Sequence, residues 1–119
     1  MKKSEEKELK QTKINELEQL FKDTSMEKQT LVTSLIEQYA FMYVQLKKMN
    51  EIIEKEGPIE KFKQGKQEFM REQPALKSYN TTMKTYNATT KQLSEFLPPG
   101  KQIQKDDEFQ AYKDKVRNR

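Results

Sequence analysis

Between Met26 and Glu56 the chain contains no glycine and no proline, and Val32, Leu35, Tyr39, Met42, Leu46, Met49 and Ile53 recur there at steps of three and four. Apolar side chains at that spacing line one side of an α-helix as an a/d seam three heptads long. A helix over residues 26–56 runs about 46 Å at about 1.5 Å per residue. Leu31, Ile36, Tyr43 and Ile52 flank the seam and widen it. A stripe that broad predicts contact with more than one neighbouring helix.

The rest of the chain is punctuated around that helix. Gly57-Pro58 ends it, because glycine accepts positive φ and proline cannot donate to a continuing helix. Pro74 suits the first position of a new helix, along which Leu76, Tyr79, Met83, Tyr86, Thr90, Leu93 and Leu97 form a second seam. Pro98-Pro99-Gly100 closes it after Leu97. Between the seams, residues 59–63 and 68–72 surround "QGKQ", with Phe62 and Phe69 as aromatic positions and Gly65 free to turn. That reads as a β-hairpin, an extended loop being the alternative. Upstream, Leu9, Ile14, Leu17, Leu20 and Phe21 lie mostly on one side of a short amphipathic helix, and Asp23, Thr24 and Ser25 are candidate caps for the helix that follows.

The expected fold class is all-α (mainly helical): a long antiparallel helix pair plus an N-terminal helix, with a small β-hairpin between the two long helices. Residues 1–25 read as the N-terminal amphipathic helix, 26–99 as a helical oligomerisation core with the hairpin at 59–72, and 100–119 as a charged, largely mobile tail bearing Phe109, Tyr112 and Val116. At 119 residues, 33% hydrophobic and 35% charged, with no Trp, a lone copy has a thin core. Self-association follows as an expectation, with Leu35, Tyr39, Met42, Leu46, Tyr79, Met83 and Tyr86 as the candidate interface.

The residues speak against an enzyme. Without Cys or His the chain lacks a thiolate nucleophile, the commonest metal ligand and the residue most used as a general base. No Walker A, GxGxxG or GxSxG spacing occurs. Glu51, Glu54 and Glu56 read as a solvated face, and Asp106-Asp107-Glu108 as an acidic run rather than a Mg2+ site. No catalytic residue, metal or cofactor is expected. Neither a spanning helix nor a secretory signal is readable, and a cytoplasmic protein is the simplest reading.

The charge pattern is compatible with a nucleic-acid partner without demanding one. Lys61, Lys63, Lys66 and Arg71 cluster in the hairpin, and Lys77, Lys84 and Lys91 recur every seven residues on the next helix, hence on one side of it. Seven basic against four acidic residues between Gly57 and Leu97 supply three of the net four positive charges. These seven are the candidate DNA contacts, weighed against an ordinary solvated face. The basic run at Lys2, Lys3, Lys7, Lys10 and Lys13 is matched by nearby glutamates. Tyr39, Tyr79 and Tyr86 sit at seam positions, so packing outweighs base stacking for them.

Tyr39 in a long helix, "EKEG" ending at Gly57, two strands turning near Gly65, "QPALKSYN" at 73–80 and "KQLSEFLPP" at 91–99 together resemble the small-subunit terminases of tailed bacteriophages. The resemblance covers roughly residues 30–99. In that family an Asn-Pro commonly opens the final core helix, where this chain has Gln73-Pro74. The resemblance implies a non-enzymatic subunit of the phage DNA-packaging motor in the host cell cytoplasm. It implies assembly into a homo-oligomeric ring, engagement of phage double-stranded DNA, and recruitment of the terminase large subunit, for which the tail beyond Pro98 is a candidate docking site. The alternative is a helical scaffold or regulatory protein that self-associates without binding nucleic acid.

Overall fold

A computed structural model describes residues 1–103, as three helices and a two-stranded hairpin in the order α1 (Lys3–Leu20), α2 (Met26–Glu56), β1 (Ile59–Gln64), β2 (Gln67–Glu72) and α3 (Pro74–Ser94). The tail from residue 104 onward, including Phe109, Tyr112 and Val116, lies outside the described residues.

Helix α2 runs without a break to Glu56, the last residue before Gly57-Pro58. Ser25 stands at its N-cap position, though no side-chain bond caps it, and Glu27 lies in the first turn, where a carboxylate suits the helix dipole. At the other end Gly57 takes φ +82° and ψ 168°, a region closed to L side chains, while its N–H donates to the Ile53 carbonyl at 2.7 Å. The seam is buried as its spacing predicts: Val32, Leu35, Tyr39, Met42, Leu46 and Ile53 are core residues, and Met49 packs against them partly exposed.

Of the four flanking residues, Ile36 and Tyr43 are buried while Leu31 and Ile52 face solvent, 54% and 45% exposed. Helix α1 makes the difference, because it packs on the side of α2 that carries Ile36, Ala40, Tyr43 and Val44. It adds Ile14, Leu17 and Phe21 to the same core cluster. Polar bonds pin it in place: Lys10 pairs with Glu37 at 3.2 Å, Glu6 pairs with Lys48, and the Lys13 ammonium sits 4.3 Å above the Tyr43 ring.

Helix α3 contributes Tyr79, Met83, Tyr86, Thr89 and Leu93 to the core. Tyr39 and Tyr86 stack with ring centroids 4.5 Å apart, and the Tyr86 hydroxyl donates to the Tyr39 hydroxyl at 2.6 Å. α3 ends at Ser94, three residues before the seam's last member, and the chain turns once more through Phe96 N–H to Leu93 O and Leu97 N–H to Ser94 O. Pro98 explains the early end, since its ring disfavours helical geometry at Leu97. Phe96 and Leu97 remain half-buried, lining a cavity of about 400 Å³ with Leu20 and Phe21.

Candidate nucleic-acid interface

The hairpin forms because Gly65 takes φ +62° as the first residue of the two-residue turn Gly65-Lys66, the position where glycine suits a primed turn. Its register pairs Ile59 with Glu72, Glu60 with Arg71, Lys61 with Met70, Phe62 with Phe69 and Lys63 with Glu68. Side chains of a strand alternate between faces, so Lys61 and Lys63 share one face with Met70 and Glu68. Arg71 lies on the other, with Phe62, Phe69 and Glu60.

The four basic residues of the hairpin therefore do not form one patch. Three also pair with carboxylates within the hairpin, two of them sharing Glu68. Glu68 lies 3.4 Å from Lys63 and 3.9 Å from Lys61. Arg71 donates its Nε–H to Glu60 Oε1 at 2.6 Å and lies 3.9 Å over the Phe62 ring, which meets Phe69 at 5.1 Å. Lys66, exposed at the turn, has no carboxylate within ion-pair distance among the described residues.

The hairpin's root is fixed to α3. The Gln73 N–H donates to the Pro58 carbonyl at 2.8 Å, joining the end of α2 to the start of α3. The Gln73 side chain then bridges: its Nε2 donates to Glu60 Oε2 at 3.3 Å and its Oε1 accepts from the Ala75 N–H at 3.2 Å. The latter bond caps α3, with Pro74 at the first helical position, where its missing N–H costs nothing.

From that capped start α3 carries Lys77, Lys84 and Lys91, all exposed, with no Asp or Glu anywhere between Pro74 and Ser94. Because Tyr79, Met83, Tyr86 and Leu93 face the core, the 100° step of a helix sets these lysines on the opposite side, about 10.5 Å apart. Among the described residues no carboxylate comes within ion-pair distance of them. They make a row of exposed ammonium groups without an ion-pair partner among the described residues.

The seven seam residues expected at an interface, Leu35, Tyr39, Met42, Leu46, Tyr79, Met83 and Tyr86, are placed in the interior of the single chain. The tyrosines pack rather than present stacking faces. Among the described residues no cluster of Asp or Glu could hold a metal ion, and Asp106, Asp107 and Glu108 lie outside them. No described helix is long and apolar enough to cross a membrane.

Sequence reasoning passed over the cleft between α1 and α2, where Phe41 stays 55% exposed beside Lys7 and Lys48. Phe41, an aromatic off the seam three residues before Val44, was the available signal.

A family model described as phage terminase, small subunit, matches residues 7–94. That stretch takes in α2, the hairpin and α3 whole, together with most of α1. No curated protein and no solved structure gives a match.

Proposed function

The chain belongs to the phage terminase small-subunit family, and on that premise we propose that it is a non-catalytic DNA-recognition and adaptor component of a phage DNA-packaging motor. It acts as a homo-oligomer, a ring, on phage double-stranded DNA in the host cytoplasm, and hands that DNA to the terminase large subunit. The observation that carries the DNA role is the row of Lys77, Lys84 and Lys91 on the outward side of an acid-free helix. A ring multiplies the row by its copy number, so a small excess of charge per subunit becomes a band. α2 and α3 run as an antiparallel pair, braced by the buried seam residues. Exposed Leu31 and Ile52 on α2 leave apolar surface for a neighbouring copy.

A second reading, a self-associating helical scaffold without nucleic acid, draws on the internal pairing of Lys61, Lys63 and Arg71 with Glu68 and Glu60. Solution mass together with retention on double-stranded DNA at two salt concentrations separates the two. A large oligomer whose retention falls steeply with salt is expected. A discrete dimer indifferent to DNA would overturn the packaging role in favour of the scaffold.

A further inference from the structure

Helix α2 keeps a third line of side chains that neither of its helical neighbours covers. α1 packs on the side bearing Ile36, Ala40 and Val44, and α3 on the side bearing Tyr39. Between those sides Leu31, Phe41 and Ile52 each stay about half exposed. Gln38 and Gln45 fall between them at steps of three, four and seven, so the five lie along one side of the helix. The line runs about 31 Å from Leu31 to Ile52 at about 1.5 Å per residue.

Its order reads nearly the same in both directions. Phe41 stands at the middle, Gln38 and Gln45 put an amide on either side of it, and Leu31 and Ile52 put an aliphatic side chain at either end. A line with that symmetry is complementary to itself when reversed.

Taking the self-association of the proposed function as premise, we infer that two copies pair through this side of α2, antiparallel about a twofold axis at Phe41. Phe41 then meets Phe41 of the second copy, Leu31 meets Ile52, and Gln38 meets Gln45, two amides that each donate and accept. Charge selects this direction over the parallel one. Parallel helices in register would set Lys48 on Lys48 and Glu27 on Glu27, whereas antiparallel ones put Lys48 opposite the uncharged Ser34, and Glu27 beside both Lys55 and Glu56. A twofold contact closes at two copies, so in a ring it makes pairs, and a different surface joins one pair to the next.

The chain has no cysteine, which makes the direction measurable. Full-length Gln38→Cys and Gln45→Cys variants are oxidised separately and as a mixture. Antiparallel copies bring the engineered thiols together only in the mixture; within either variant alone they stand about 10 Å apart along the helices, beyond the reach of about 7 Å between Cα atoms that a disulfide spans. The mixed disulfide is expected to form about tenfold faster or more than either symmetric one. Symmetric disulfides that form as fast or faster would overturn the antiparallel pairing. Phe41→Glu tests the surface itself. With its helicity unchanged by circular dichroism, as an exposed position allows, its self-association in sedimentation is expected to weaken about tenfold or more, since a carboxylate would be buried at the axis. A wild-type oligomer indifferent to Phe41→Glu would overturn this surface alone. Wild-type protein that sediments as a single copy would overturn both the surface and the self-association it rests on.

Discussion

Tyr39 and Tyr86 tie α2 to α3 through a hydroxyl hydrogen bond between two buried residues. Tyr86→Phe removes the donor and is expected to cost about 1 kcal/mol, the net worth of one hydrogen bond. Tyr39→Phe with Tyr86→Phe should cost less than the two singles summed, by about 1 kcal/mol, in a double-mutant cycle of urea denaturation. Gly57 is the other residue with no substitute. Space is not the reason, for a Cβ built there meets nothing within 4 Å. The reason is the backbone, held at φ +82° and ψ 168°. Gly57→Ala is therefore expected to destabilise by about 1–3 kcal/mol, visible as a lowered denaturation midpoint with an unchanged urea slope.

At the scale of an element, the proposed DNA contacts of α3 are the part to test. Replacing Lys77, Lys84 and Lys91 with Gln is expected to lower the slope of log affinity against log salt by about 0.9 for each lysine that meets a phosphate. Thermal stability should hardly move, since all three are exposed and unpaired among the described residues. DNA binding measured across a salt series checks both. The elements were readable in the sequence wherever local chemistry decides them. Gly57-Pro58 fixed the end of α2, Gln73-Pro74 the start of α3, and the step of three and four the buried side of each. Between residues 59 and 72 a hairpin and a loop competed, because "QGKQ" lacks the Asn-Gly signal that would settle a turn. The split of the hairpin's basic residues over two faces was beyond reach, since register decides it and a slip of one residue exchanges the faces. The exposure of Leu31 and Ile52 beside buried Ile36 and Tyr43 depends on where α1 lies, a tertiary fact that no periodicity of α2 encodes.

As a whole the described molecule extends 61 × 32 × 20 Å and is held by one core cluster drawn from all three helices. Helix α2 packs against both α1 and α3, so the loss of either neighbour uncovers part of its apolar surface. Far-ultraviolet circular dichroism and tyrosine fluorescence are therefore expected to report one coincident urea transition; two separated transitions would show α1 leaving first. The hairpin stands apart from that core, joined to α2 through Gly57-Pro58 and to α3 through Gln73-Pro74, with the Gln73 side chain bolted to Glu60 and to the first turn of the helix. Its six-residue strands make an arm of roughly 20 Å at about 3.3 Å per residue. Whatever grips its tip applies torque to two helix ends at once, and twisting the arm means twisting the body.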